Sequence, residues 1–276
     1  MVENILDRIV EKYKNCDFIK IIVLGGSRAT GTENKNSDID IGLYYDPKKT
    51  DYKKLNEIAK ELDDDKRDNL ICKEGEWGKW VNFGGWLKIS GYQVDLIFRD
   101  IERVKNIIEK SEKGEFSCNY QTGHPHSFLD IMYRGELASS IVLYYQEKNF
   151  MDLKLKAEKY PKDLKKALID FFGFEFNFSN MFVEKSLESK DNYYIIGHIF
   201  RGISGINQVI FALNEKWLLN EKKAVFRVET FHIKPKNYSQ KIDEILKNIV
   251  TFPEQSSKKF KELCEEVNEL ISQNIG

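Results

Sequence analysis

The segment LGGSRATGTENKNSDIDIGLYY, residues 24–45, places two aspartates one residue apart at the start of an apolar run. Side chains alternate faces along a strand, so Asp38 and Asp40 share one side while Ile39 and Ile41 take the other. Two like charges on one face repel each other unless a cation sits between them. Mg²⁺ is the natural candidate, because it takes hard oxygen ligands and is commonly held by one or two carboxylates together with substrate phosphates. For Asp38 and Asp40 alone, a solvated strand edge is an equal reading. The turn before them shifts the balance. Gly25 and Gly26 let the backbone approach phosphate oxygens, successive N–H groups can form an anion-binding hollow, and Ser27 adds a hydroxyl donor. A short helix starting near Ser27 would add the positive potential of its N-terminus. A lone Gly-Gly-Ser is usually only a tight turn. Followed by Asp-Ile-Asp, it offers phosphate donors and a metal site in one unit.

A third carboxylate would complete a two-metal centre. Asp95, in YQVDLIF (92–98), lies between Val94 and Leu96, where a charge needs a reason. The structural alternative is a buried carboxylate paired with an arginine or lysine.

The elements that must position these groups are legible from periodicity. Residues 2–15 have helical spacing with Ile5, Ile9 and Tyr13 on one side, and IKIIVLGG (19–26) is a β-branched run ending in glycines. SDIDIGLYYD (37–46) reads as a second strand and 51–62 as a helix. WVNFGGWLKI (80–89) and QVDLIFRD (93–100) read as strands joined by a glycine turn. IERVKNIIEKSEKG (101–114) reads as a helix with Gly114 as its stop. The second half changes texture: 161–189 and 191–219 carry long apolar periodicity, Asp191 suits an N-cap, and 238–250 and 254–273 are amphipathic. This half reads as a helical bundle.

The 276 residues suffice for one or two domains with a full core. Lys and Arg number 43 and Asp and Glu 44, so no basic excess advertises a nucleic-acid partner. Cys16, Cys72, Cys118 and Cys264 are far apart and form no CxxC pair, which reads as reduced thiols in a cytoplasmic protein. The N-terminus lacks the apolar core of a signal peptide, and no stretch approaches the roughly 20 apolar residues that span a bilayer.

The set Gly25, Gly26, Ser27, Ala29, Gly31, Ser37, Asp38 and Asp40, followed by Asp95 on a later strand, resembles the nucleotidyltransferase superfamily of the DNA polymerase β type. The resemblance covers roughly residues 19–100. The second half is similar in texture to the C-terminal bundles of bacterial aminoglycoside and lincosamide nucleotidyltransferases. The resemblance implies an α+β chain: a nucleotidyltransferase domain (1–115), a small mixed sheet flanked by helices, then a helical domain (116–276), the join falling within 115–150. It implies transfer of a nucleoside monophosphate, AMP from ATP or from another NTP its counterpart, with release of pyrophosphate. The acceptor would be a hydroxyl of a small molecule, an aminoglycoside or lincosamide antibiotic being one candidate. Two Mg²⁺ ions would be held by Asp38, Asp40 and Asp95, with Asp95 also helping to take the hydroxyl proton. Gly26 and Ser27 would hold the β and γ phosphates, and Gly25, Arg28 and Ser37 would complete the nucleotide-binding set. Bilobal relatives often build the site across a dimer, which leaves a homodimer open. Two other readings stand beside this one: nucleotide transfer to a protein or tRNA, as in toxin–antitoxin systems, and a non-catalytic nucleotide-sensing module.

Other residues carry weaker signals. Glu76 and Glu136 are candidate extra bases beside the acceptor. His124 and His126, in GHPH, suit a structural or substrate-lining role better than catalysis. Trp77, Trp80 and Trp86 could stack on a base or line an acceptor pocket, with core packing expected for at least one. The run FFGFEFNF (171–178) reads as bundle core, and Lys216, Lys222 and Lys223 as a solvated basic face, with reach to a triphosphate the alternative.

Overall fold

The computed structural model describes residues 1–35 and 37–275. In chain order the elements are α1 (Val2–Tyr13), β1 (Ile19–Leu24), α2 (Gly26–Ala29), β2 (Ile39–Tyr45), α3 (Tyr52–Leu62), β3 (Phe83–Ile89), β4 (Tyr92–Asp100), α4 (Ile101–Ser111), β5 (Cys118–Asn119), β6 (Phe128–Leu129), α5 (Met132–Ser139), β7 (Ile141–Tyr145), α6 (Phe150–Glu158), α7 (Lys162–Ser186), α8 (Asn192–Leu213), α9 (Ala224–Val228), α10 (Tyr238–Asn248) and α11 (Pro253–Asn274). They divide into two compact units. One comprises Met1–Lys110, Phe116–Gly123 and Ser127–Lys159; the other comprises Ser111–Glu115, His124–His126 and the chain from Tyr160. The chain is α+β, with a mixed sheet in its first part and a helical second part.

The first unit is built on a five-stranded sheet of order β3-β4-β2-β1-β7. β2 and β4 run parallel; every other pairing is antiparallel. One face of the sheet is apolar. Ile39, Ile41, Leu43 and Tyr45 of β2, with Val94, Leu96 and Phe98 of β4, pack into one core with Ile5, Ile9 and Tyr13 of α1 and Leu55, Ala59 and Leu62 of α3. Asp51 caps α3, accepting the Lys54 N–H at 3.0 Å. The alternation that buries Ile39 and Ile41 leaves Asp40, Gly42 and Tyr44 on the opposite face, in register with Asp95, Ile97 and Arg99.

That second face is covered over part of its length by α5. Arg99, 5% exposed, makes a two-pronged ion pair with Glu136 of α5, Nε to Oε2 at 2.8 Å and Nη2 to Oε1 at 2.7 Å. Burial pushes the Arg99 pKa down, and the Glu136 carboxylate more than reverses this, so the guanidinium stays charged. Glu136, a candidate base by sequence, is therefore engaged in a structural bridge. β7 lies in the stretch 115–150, to which periodicity assigns no element. Its IVLYY run is a sheet edge, with Val142 opposite Val23, and it follows directly from α5.

Arg134 of α5 is fully buried and donates to the carbonyls of Ile108 at 3.3 Å, Ala157 at 3.3 Å and Lys159 at 2.7 Å, as well as to that of Lys156. Three of these belong to the last turn and cap of α6, whose orphan carbonyls carry partial negative charge. Arg134→Met would keep the volume and strand these acceptors. We expect a loss of about 3 kcal/mol, since each abandoned buried acceptor costs about 1–3 kcal/mol. Urea unfolding of the full chain measures it.

The second unit is helical. α7 and α8 pack along their length. Phe172, Phe176 and Val183 of α7 and Ile195, Ile199 and Ile206 of α8 are buried, as are Phe260, Leu263 and Val267 of α11. A Cβ on Gly202 of α8 would stand 2.3 Å from the Phe260 ring, so the glycine sets the α8–α11 approach. By length and composition α8 could cross a bilayer, a property the sequence reading did not credit to any stretch; 72% of its apolar window is buried inside the protein. FFGFEFNF is only half core. At 3.6 residues per turn Phe172 and Phe176 point inward while Phe171, Phe174 and Phe178 face outward. His124 and His126 also belong here. His124 Nδ1 lies 3.4 Å from Glu221, and His126 Nε2 lies 3.3 Å from Glu175, whose other close partner is Arg201 Nε at 2.6 Å.

Candidate active site

The site is organised where β1 ends. The Gly25 N–H donates to the Asp40 carbonyl at 2.8 Å, adding a rung to the β1–β2 ladder beyond Leu24. The chain then turns through Gly26 at φ +59°, a left-handed conformation that costs other residues about 1–2 kcal/mol. Space is a stricter limit than conformation. A Cβ on Gly26 would fall 1.8 Å from Asp40 Oδ2. The Asp40 carboxylate thus rests directly on the Gly26 α-carbon, so the turn and the first acidic group form one object.

The single turn of α2 follows. Thr30 Oγ1 donates to the carbonyls of Gly26 and Ser27, and the Thr32 N–H reaches Ser27 O at 2.9 Å, winding the motif on itself. Ser27 is half-buried. Arg28, a candidate charge contact by sequence, donates from Nη2 to Ser37 O at 2.7 Å and from Nε to Asp38 O at 3.1 Å. It ties the turn to the segment that re-enters the sheet. Ser37 Oγ accepts the Asn34 N–H at 2.9 Å. In this arrangement Arg28 and Ser37 shape the loop that carries Asp38.

Register brings in the third carboxylate. Asp40 of β2 lies directly opposite Asp95 of β4 in the parallel pairing, on the face away from the apolar core. Neighbouring strands are about 4.8 Å apart, so the two carboxyl groups are adjacent. Asp38 precedes β2 on the same side and is exposed, while Asp40 and Asp95 are half-buried. Burial, then Asp40, then Asp38 push the Asp95 pKa up to about 6. That shift records three carboxylates sharing one corner, in a setting that favours a proton or a cation. Among the described residues no group of three or more acidic, histidine or cysteine side chains, Asp38, Asp40 and Asp95 included, is drawn together closely enough to hold a metal ion. The donor set nonetheless suits a hard divalent cation: all oxygen, and partly desolvated.

The tryptophans divide by role. Trp80 is packed, stacked on Phe128 with centroids 5.9 Å apart. Trp86 lies opposite Asp95 in the β3–β4 register and is 60% exposed. Trp77 stacks on it at 4.6 Å. Glu76, the other candidate base, is exposed. The sequence reading missed the row Asp40–Asp95–Trp86 across three strands. Each member was visible; their register was not.

Residues 7–73 match the family model described as polymerase beta, nucleotidyltransferase. The matched segment holds Gly25, Gly26, Ser27, Asp38 and Asp40; Asp95 lies beyond it and joins through the parallel pairing. Residues 7–73 therefore carry a nucleotidyltransferase domain of the DNA polymerase β type, which supports a nucleotidyltransferase enzyme. Among solved structures, one described as a nucleotidyltransferase-like protein from Exiguobacterium sibiricum is similar at 8% identity and a TM-score of 0.47, over 99% of this chain and 75% of that one. A CCA-adding enzyme in complex with CTP is similar at 13% identity and a TM-score of 0.32, over 99% of this chain and 69% of that one. No curated protein matches it significantly.

Proposed function

We propose that this protein transfers the nucleoside monophosphate of an NTP, ATP in the first instance, to a hydroxyl of a small molecule. The observation that carries this is the Asp40–Asp95 register beside a glycine turn that touches Asp40. Asp38, Asp40 and Asp95 are the residues that would hold Mg²⁺, which when bound neutralises charge on the triphosphate. The turn from Gly25 to Ser27 receives the β and γ phosphates, with Arg28 and Ser37 keeping the loop in place. The acceptor oxygen attacks the α-phosphorus, the bond from that phosphorus to the α,β-bridging oxygen breaks, and pyrophosphate leaves with the electron pair. The hydroxyl proton passes to the Asp95 carboxylate, which lies on the acceptor side of Asp40 in the sheet. Beyond this the chain orients groups and balances charge, as phosphoryl transfer generally asks. The near-equal count of 43 basic and 44 acidic residues favours a small acceptor over a nucleic acid.

The test is pyrophosphate release by the full chain with Mg²⁺, each of the four NTPs, and an aminoglycoside or a lincosamide. The expected result is release with at least one pair, abolished by EDTA and restored by Mg²⁺. No release with any pair sinks the antibiotic assignment. Label passing from ATP to protein or RNA in a lysate would then move the acceptor to a macromolecule.

A further inference from the structure

We infer that Trp86 is the acceptor platform of this enzyme, taking one face of a ring-shaped small molecule; this rests on the nucleotide-transfer reading above. Strand order supplies the first reason. Across the second face of the sheet the site runs Trp86 on β3, Asp95 on β4, Asp40 on β2, then the Gly25–Gly26 turn after β1. If the β and γ phosphates sit on the glycine turn, the pyrophosphate leaves towards β1. Displacement at phosphorus is in line, with the attacking oxygen opposite the leaving oxygen. The acceptor therefore arrives from the β4–β3 side, where the first side chain beyond Asp95 is Trp86.

The second reason is how the indole is held. Trp77 lies on Gly84, where a Cβ would come within 2.3 Å of its ring, and it stacks on Trp86 at 27° between planes. Trp77 is itself fixed by its backbone, its N–H donating to Asn82 O at 3.1 Å and its carbonyl accepting from Gln121 Nε2 at 2.7 Å. Gly84 is thus a seat for Trp77, and Trp77 is a backing for Trp86. Ordinary packing does not account for the result, because Trp86 keeps 60% of its surface in solvent beside a half-buried carboxylate. A rigid indole with an open surface offers contact at little entropic cost, having two side-chain torsions to fix. A lone platform suits a single ring better than a strand of stacked bases, which needs several aromatic groups in succession.

Two binding measurements on the full chain test this. Calorimetry with the Mg²⁺ complex of α,β-methylene-ATP reports the donor side; Trp86→Ala should bind it within twofold of wild type. Kanamycin, lincomycin and a short single-stranded RNA, each added to that complex, report the acceptor side. A ring ligand that binds wild type should bind Trp86→Ala at least tenfold more weakly, and Trp86→Phe within about threefold of wild type. Equal binding of kanamycin or lincomycin to wild type and Trp86→Ala overturns the proposal. So does weakening of the ATP analogue alone, no binding of either ring ligand to wild type, or a Trp86-dependent loss confined to RNA. Failure of wild type to bind the ATP analogue instead sinks the nucleotide-transfer reading. Trp86 is exposed on its strand, so its truncation leaves the core untouched; unchanged thermal melting verifies this.

Discussion

Asp95→Asn should abolish nucleotide transfer and, at neutral pH, make the protein more stable. Asp40→Asn should abolish transfer too, since both changes remove a charged ligand at almost constant volume; we expect at least a thousandfold loss for each. The stability change separates a functional carboxylate from a structural one. The folded Asp95 has a pKa of about 6 because of burial and its neighbours Asp40 and Asp38, against about 4 in an unfolded chain. Between these values the folded state holds more protons than the unfolded state. Stability therefore falls as pH rises through roughly 4 to 6 and stays lowered above that window. Below about pH 4 the acid is protonated in both states and the penalty vanishes. Two pKa units correspond to about 2.7 kcal/mol, and for a half-exposed group solvent screening reduces this to about 1 kcal/mol. Asp95→Asn should melt about 2–4 °C above wild type at pH 7.5, with the gain shrinking as pH approaches 4. Mg²⁺ should raise the melting temperature of wild type and not of Asp95→Asn. A variant less stable than wild type at pH 7.5 would mean that Asp95 serves the fold.

Gly26→Ala should lose activity by about two orders of magnitude, although the substitution adds one methyl group. That methyl would occupy the place of Asp40 Oδ2, 1.8 Å away, so the carboxylate must swing off the turn. Displacing a catalytic group by about 1 Å costs on the order of a hundredfold in rate. The left-handed backbone at φ +59° adds about 1–2 kcal/mol of instability. Gly31→Ala is the control. Its φ is +66°, yet a Cβ there meets nothing within 4 Å. Thermal melting should show a similar loss in the two variants, while steady-state rates should fall only for Gly26→Ala. Equal rates would mean that the Gly26–Asp40 contact has no part in transfer.

Both experiments turn on the difference between a residue's presence and its placement. Gly31 belongs to the same sequence motif as Gly26, yet a side chain there would point into open space, whereas Gly26 bears on a carboxylate. Arg28 reads from sequence equally as a charge contact to the nucleotide and as a surface arginine, and in the structure its guanidinium holds the Ser37 and Asp38 carbonyls. Glu136 reads as a spare base and is locked to Arg99. Long side chains of this kind have several chemically equal partners, and only the packing of α5 on the sheet selects one.

The residue order alone determined the elements and the acidic pattern. Alternation at 39–45 and 92–100, the glycines after β1, and the caps at Asp51 and Asp191 act over a few residues, through backbone geometry and side-chain parity that any chain with these residues would share. Tertiary structure alone decided that β2 and β4 pair in parallel with Asp40 beside Asp95, that β7 closes the sheet edge, and that Trp86 completes the row. The first two outcomes depend on register between segments far apart in the chain, the third on the β3–β4 hairpin being laid beside β2, and shifting a pairing by one residue would send every side chain to the other face. What fixes that register is burial of Ile39, Ile41, Val94 and Leu96 in one apolar core, a sum over many contacts that local sequence does not contain.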